Sequence, residues 1–236
     1  MDVSVIVPTL NEEKRIKTCL DSVNKQDTNL EYEVIVSDSH SEDATAEIAK
    51  EQADKVVYAG KGIWQGRNQG AKASTGEVLV FIDADTTIPP NYISSVHAAL
   101  QDKSISALTC GFTFSKESRK LKTAAKLLND YFTFRYLVGR GTISGFNIAT
   151  RREIFDKTGG FPDCPLEDGK FGELASEHGR IVFLPEPKVI TSSRRLESQG
   201  LHGSLSYYLQ LMLTTDTPDF LKDVNPLQYK DYFPIR

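Results

Sequence analysis

The chain has 236 residues, 25% of them charged, and a net charge of −4. That is enough to bury one good core, and it lacks the basic footprint with which a nucleic-acid binder neutralises phosphates, so DNA and RNA are not expected partners. Cys19, Cys110 and Cys164 are odd in number, widely spaced and without a Cys-x-x-Cys pair, which points to reduced thiols, with Cys19 in the core, and against a disulfide framework or a zinc site. The start, MDVSVIVP, opens directly on an apolar strand and lacks the basic start, apolar stretch and cleavage site of a secretory leader. No run approaches the roughly 18 apolar residues of a membrane span, so a cytoplasmic protein is expected.

In chain order, Val3–Val7, Glu33–Ser37, Val56–Tyr58 and Val78–Ile82 read as short β-rich strands separated by helical stretches. This alternation predicts βαβ units and a mostly parallel, Rossmann-like sheet flanked by helices. Ile16, Cys19, Leu20 and Val23 fall at i, i+3, i+4 and i+7, so the first helix lays one face on the sheet. Ser41, with Glu42 and Asp43 after it, announces the second helix, and Pro89-Pro90 the fourth. Beyond residue 100 the pattern predicts a strand over Ile105–Phe114, a helix over Leu121–Val138 and a strand over Gly141–Thr150. A short helix over Arg151–Thr158 follows, then strands over Ile181–Leu184 and Lys188–Ser192 and a helical, aromatic tail. No repeat or linker interrupts the chain, so a single domain over 1–236 is expected. Within it, 1–100 would bind nucleotide, 101–200 carry the acceptor and catalytic half, and 201–236 form a C-terminal helix and tail.

Polar residues gather at the strand ends, where open α/β sheets bind ligands: Pro8-Thr9-Leu10-Asn11-Glu12, Ser37-Asp38-Ser39-His40-Ser41-Glu42-Asp43, and Asp83-Ala84-Asp85. No Gly-x-Gly-x-x-Gly follows the first strand and no P-loop signature occurs, which removes the dinucleotide and Walker readings. The paired carboxylates Asp83 and Asp85, at i and i+2, suit a hard cation that keeps waters and takes phosphate oxygens, Mg²⁺ or Mn²⁺. An EF-hand would need Gly and Glu where Ile88 and Ser94 stand. The run Asp83-x-Asp85-x-Thr87-Ile88 also fits the first signature of haloacid-dehalogenase phosphatases, with Asp83 as nucleophile. That family, however, places it on the first core strand, whereas here three βα units come first.

Taken together and in order, P-T-L-N-E, D-S-H-S-E-D-A-T, R-N-x-G-A (Arg67, Asn68, Gly70, Ala71), F-I-D-A-D, G-G-F-P-D and E-D resemble the family 2 glycosyltransferases of GT-A fold, over nearly the whole chain to Gly200. The resemblance implies a metal-dependent, inverting transfer of a sugar from a nucleoside-diphosphate sugar, of UDP or GDP type. It implies that Pro8, Thr9 and Glu12 line the nucleotide pocket, that Asp38 meets the base or ribose, and that Arg67 sits beside the base. Asp83 would lie near the ribose, Ala84 between the two carboxylates in the donor site, and Asp85 on the Mn²⁺ or Mg²⁺ that bridges the diphosphate. Glu167-Asp168 looks like the family's E-D pair, with Asp168 the base for the acceptor, and Arg194-Arg195 like its arginine pair meeting the leaving diphosphate.

Physical chemistry asks for the same parts. A departing nucleoside diphosphate needs a metal and guanidinium clamp, and a hydroxyl nucleophile needs a carboxylate to take its proton. An acceptor that is already an ionised lipid phosphate would need no base. The acceptor is left open among a glycan, a lipid and a small molecule. His202 is a candidate to complete the metal shell, and Gly145 and Asn147 to face the acceptor. The Leu121–Val138 helix, with Lys116, Arg119, Lys120, Lys122 and Lys126 at its start and an aromatic block after them, reads either as core packing or as a basic surface resting on a membrane. The aromatic tail reads either as a cover for the acceptor site or as a homodimer contact. Two rivals stand beside the transferase: the phosphatase, and a nucleotide-sugar-binding protein without catalysis.

Overall fold

The computed structural model describes residues 1–194, and Met1–Thr191 form one compact unit. Its elements are β1 (Val3–Thr9), α1 (Ile16–Val23), β2 (Tyr32–Asp38), α2 (Thr45–Gln52), β3 (Lys55–Tyr58), α3 (Ile63–Ala73), β4 (Val78–Ile82), α4 (Tyr92–Leu100), β5 (Ile105–Phe114), α5 (Arg119–Leu137), β6 (Asn147–Arg151), α6 (Arg152–Thr158), α7 (Glu167–Ser176) and β7 (Arg180–Thr191). The sheet order is β3-β2-β1-β4-β6-β5-β7. Only β6 runs against its neighbours; the other pairings are parallel. The order turns back at β1, which has β2 on one side and β4 on the other. The crevice outside the carboxyl ends of those strands is therefore the topological switch point where such sheets bind ligands.

Both faces of the sheet are covered, which is why its strands read as unbroken apolar runs. Alternate residues separate the two cores. Val3, Val5, Val7, Val78, Val80 and Ile82 pack with α1, α4 and Ala125 of α5. Ile6, Leu79, Phe81 and Ile148 pack with Ala71 of α3, Ile154 and Phe155 of α6, and Phe171 and Ala175 of α7.

Three sequence expectations need correcting. Helix α2 starts at Thr45 and not near Ser41, because Ser41 is spent on Asp38, to which its N donates at 2.9 Å and its Oγ at 2.5 Å. The strand expected from Gly141 begins only at Asn147: the 144–147 segment turns, Asn147 N reaching Ser144 O at 3.2 Å, and the Gly145 carbonyl is taken by Arg67. The two strands expected after Ile181 are one strand, β7. Pro185 and Pro187, unable to donate to a ladder, are looped out by a register shift from Cys110↔Leu184 to Phe112↔Val189.

Candidate active site

The first two strand ends are fastened to one another before any ligand is considered. Thr9 Oγ1 donates to Asp38 Oδ1 at 3.0 Å, and Ser39 N to Thr9 O at 2.9 Å. Between the loops that follow, Asn11 N reaches Ser41 Oγ at 2.9 Å, Glu42 N reaches Asn11 Oδ1 at 2.9 Å, and Glu12 N reaches Thr45 Oγ1 at 2.8 Å. Asn11 and His40 adopt left-handed φ of 54° and 61°, which these bonds hold in place. The result is a stiff wall: Pro8, Thr9 and Asp38 are buried at its foot, and Glu12 pairs with Arg15 at 3.3 Å.

The β4 end supplies the carboxylates. By strand alternation Asp83 continues the face of Leu79 and Phe81, toward α3 and α7. The turn is pinned on both sides. Thr86 N donates to Asp83 O at 2.9 Å, Thr87 exchanges backbone bonds with Ile190 at 2.8 and 2.9 Å, and Thr86 Oγ1 reaches Thr191 Oγ1 at 2.9 Å. Cys19 lies beneath it as expected, its Sγ 3.7 Å from Asp83 O. Burial first, then Asp85 and Asp83, raise that thiol far above its ordinary range, so it is an inert core group.

Arg67 joins three chain segments. Its side chain is 1% exposed. Nη1 donates to Glu167 Oε1 at 2.6 Å, while Nη2 donates to Asp83 Oδ1 at 3.2 Å and to Gly145 O at 2.7 Å. The guanidinium lies over the Phe161 ring at 5.0 Å, a cation–π contact. Both terminal nitrogens of Arg67 are thus occupied by these partners. Its charge is favoured by Asp83, Glu167 and Asp168 against the cost of burial.

Burial, followed by repulsion from Asp85 and Glu167, pushes the Asp83 carboxyl up to about 7 even though Arg67 pulls it down. Burial likewise raises Glu167, opposed by Arg67 and reinforced by Asp168. Asp83, Glu167 and Asp168 act on one buried guanidinium, and Asp85 repels Asp83 within the turn; a divalent cation held by Asp83 and Asp85 would ease that repulsion. Among the described residues no group of three or more His, Cys, Asp or Glu could enclose a metal. The hard oxygens of Asp83 and Asp85 suit a cation of the kind that also takes phosphate oxygens and water as ligands.

Asp168 is placed by backbone geometry. Leu166 precedes α7 with a left-handed φ of 59°, a strained turn for a residue with a side chain, and it sets Glu167 inward and Asp168 half-exposed. Gly145 comes so close that an added Cβ would stand 2.7 Å from Asp168 Oδ2 and 3.1 Å from Arg67 Nη2. Gly145 therefore joins the site. Asn147, expected to face an acceptor, does not: it is 0% exposed. Its Oδ1 accepts from Cys110 N at 2.6 Å and its Nδ2 donates to Cys110 O at 3.3 Å, so the side chain holds β6 against β5. Ala84 is buried in the turn between the two carboxylates. Arg194 belongs to a second unit, Ser192–Arg236, in which its N donates to Ser192 Oγ at 3.2 Å. Arg195 and His202 lie outside the described residues.

One residue of the site had no role in the sequence reading. Asn68 donates through Nδ2 to Phe161 O at 2.8 Å and accepts from Phe161 N at 2.9 Å. It clamps the segment whose ring lies under Arg67. Gly160, at φ 80° with Asn68 Oδ1 2.6 Å from where a Cβ would be, permits that approach. The signal was in the sequence, as Asn beside Arg in R-N and the glycine pair of G-G-F-P-D, but nothing local ties residues 93 positions apart.

A mostly parallel α/β sheet with a carboxylate-rich switch point defines a Rossmann-like sheet of the kind seen in nucleotide-sugar-handling GT-A proteins. Residues 4–159 match the model described as glycosyl transferase family 2, and the chain belongs to that family. A dolichol-phosphate mannosyltransferase of Pyrococcus furiosus is 32% identical over 169 residues, covering 68% of this chain and 45% of that protein. Two solved structures share the fold. A mannosyltransferase from Pyrobaculum calidifontis in complex with GDP-Man and Mn²⁺ is 23% identical with a TM-score of 0.66, over 88% of this chain and 64% of that one. A Mycobacterium tuberculosis glucosyl-3-phosphoglycerate synthase in complex with Mn²⁺, UDP and glucosyl-3-phosphoglycerate is 22% identical with a TM-score of 0.63, over 92% of this chain and 81% of that one. The chain spans between 24% and 58% of the length of eight curated relatives. The phosphatase reading does not survive: Asp83 is ion-paired to a buried arginine and lies inside the matched family region.

Proposed function

We propose that this chain transfers a sugar, with inversion, from a UDP or GDP sugar to an acceptor hydroxyl, assisted by Mn²⁺ or Mg²⁺. The observation that carries this reading is the pair of carboxylates Asp83 and Asp85 directly after buried β4 at the switch point of the sheet, with Asp83 tied through Arg67 to Glu167. Support also comes from neighbours of the same fold whose names include GDP-Man or UDP together with Mn²⁺.

In this reading the nucleoside lies against the wall at Pro8, Thr9 and Glu12, while Asp38, expected to meet the base or ribose, is 0% exposed and bonded to Thr9 and Ser41 and so braces the wall from within. Asp85, aided by Asp83, holds the divalent cation, which when bound neutralises the charge that develops on the departing diphosphate. Asp168 takes the proton of the acceptor hydroxyl as the new carbon–oxygen bond forms and the bond from the anomeric carbon to the phosphate oxygen breaks, its electron pair leaving with the diphosphate. One base and no covalent intermediate give inversion. Glu167 does not touch the reacting atoms; it positions Arg67, and through it Asp83 and the Gly145 carbonyl. Gly145 stands at the acceptor side, where the acceptor is a glycan, a small molecule or a lipid-linked alcohol.

Asp168→Asn tests the assignment. It should keep donor and metal binding and lower transfer at least 100-fold, the usual scale for losing a general base. Unchanged transfer would remove Asp168 from that role and leave an acceptor phosphate, which needs no base, as the surviving alternative. Donor binding without turnover on any acceptor, in the unmodified chain, would establish the non-catalytic binding protein instead.

A further inference from the structure

Helix α5 presents a face that the donor site does not use. Its inner side buries Leu121, Ala124 and Ala125, and Asn129 clamps it to β5, accepting from Phe112 N at 3.0 Å and donating to Phe112 O at 2.9 Å. The outer side carries Leu127, Phe134, Leu137 and the capping Val138, which are 57%, 60%, 74% and 51% exposed. Their spacing of i, i+7, i+10 and i+11 brings them onto one stripe of a 3.6-residue helix. They are four of the seven large apolar side chains exposed among the described residues.

The same stripe continues toward the helix start as Arg119, Lys120 and Lys126, all exposed. Residues 116–140 hold seven Lys and Arg against two acids, in a chain whose net charge is −4. Both acids are neutralised locally, Asp130 by Lys126 at 2.5 Å and Glu117 by Lys122 at 3.2 Å. At the far end Arg135 lies over the Tyr131 ring at 5.9 Å, and Arg140 continues the basic edge. A clustered apolar stripe in water calls for an occupant, and the cations around it select one that is both apolar and anionic. A second copy fits poorly, because a twofold pairing of this face would set like charges against each other.

We propose that the outer face of α5 docks on the surface of an anionic lipid bilayer. Leu127, Phe134, Leu137 and Val138 enter the boundary between headgroups and acyl chains. Arg119, Lys120 and Arg140 meet lipid phosphates, their long stems lying along the apolar layer. The helix lies in the surface and does not cross it: six of its 19 residues are charged, and no helix among the described residues is long and apolar enough to span.

The test is flotation of the full chain with vesicles of phosphatidylcholine alone or with about one-third phosphatidylglycerol, at low and high salt, without nucleotide or metal. The outcome is thus independent of the donor-site assignment. The chain should partition at least about tenfold more strongly to the anionic vesicles, and salt should reverse the difference. Lys120→Glu should weaken partition at least about fivefold, the effect of removing one surface cation. Phe134→Ser with Leu137→Ser should weaken it on the order of tenfold, with the melting temperature kept because both side chains are exposed. Equal partition to both vesicle types, or to neither, would overturn the proposal, as would double-variant binding equal to the parent. A parent dimer converted to monomer by the double variant would give the face to a second copy and equally overturn it.

Discussion

Replacing Arg67 with methionine should cost more stability than any substitution at the rim of the site, and the cost should depend on pH. Methionine keeps the apolar stem over Phe161 and removes two charged hydrogen bonds, to Glu167 at 2.6 Å and Asp83 at 3.2 Å, and one to the Gly145 carbonyl at 2.7 Å. At about 1.5–3 kcal/mol for each charged bond, and from the general cost of stripping one partner from a buried pair, the loss is about 3–5 kcal/mol at pH 8. Asp83 and Glu167 already have raised pKa values in the folded chain, and without Arg67 they rise further. A carboxyl whose folded pKa exceeds its unfolded value binds more protons folded than unfolded, so the variant regains stability as pH falls from 8 toward 5. Urea denaturation of parent and variant at the two pH values measures this, and the difference between them should shrink by at least about 1 kcal/mol at pH 5, on the scale of one pKa unit. A loss below about 1 kcal/mol at pH 8, or one independent of pH, would refute the idea that Arg67 neutralises buried carboxylates.

Three further outcomes are expected. Glu33 is buried at the opposite end of the sheet. Burial raises its carboxyl, but Thr75, Ser4 and Lys55 donate to it and hold it at about 2; its contribution is complete above pH 4.5 and lost as pH falls toward 2, so Glu33→Gln should destabilise at pH 7 and flatten the acid limb of a stability–pH curve. Asn68→Ala removes both bonds to the Phe161 backbone and should cost about 2–3 kcal/mol by chemical denaturation, with nucleotide binding weakened because Arg67 loses its support. Gly145→Ala places a methyl 2.7 Å from Asp168 Oδ2; steady-state kinetics should show kcat lowered on the order of tenfold or more with donor affinity little changed, whereas loss of donor affinity alone would place Gly145 on the other side of the site.

Much of the fold could be read before any coordinates. The strands β1, β4 and β5 are runs buried on both faces, and α1 has a clean helical period, so local pattern and tertiary environment agree. The reading went astray where long-range contacts override local signals. Ser41 looks like a helix cap until Asp38 takes it, and β7 looks like two strands because its loop of Pro185 and Pro187 interrupts the pattern but not the pairing on either side. In the site, the residue types and strand ends were legible, since carboxylates directly after a buried strand have few structural reasons to be there. Partnerships were not. Arg67 meets Glu167 across 100 positions and Asn147 meets Cys110 across 37, and no period or spacing encodes such pairs. Asn147 shows the hazard most clearly, because a polar residue two positions from a glycine of the candidate site can be a wholly internal brace.

The most direct test of the donor site is thermal unfolding of the full chain with UDP or GDP, with and without Mn²⁺. One of the two diphosphates with Mn²⁺, at about 100 times its dissociation constant, should stabilise by about 2.7 kcal/mol, a rise in Tm of roughly 5–10 °C for a chain of this size. The rise should be much smaller without the metal and absent in Asp85→Ala. No rise with either diphosphate and Mn²⁺, or an undiminished rise in Asp85→Ala, would contradict a metal-assisted nucleotide-sugar site at the end of β4.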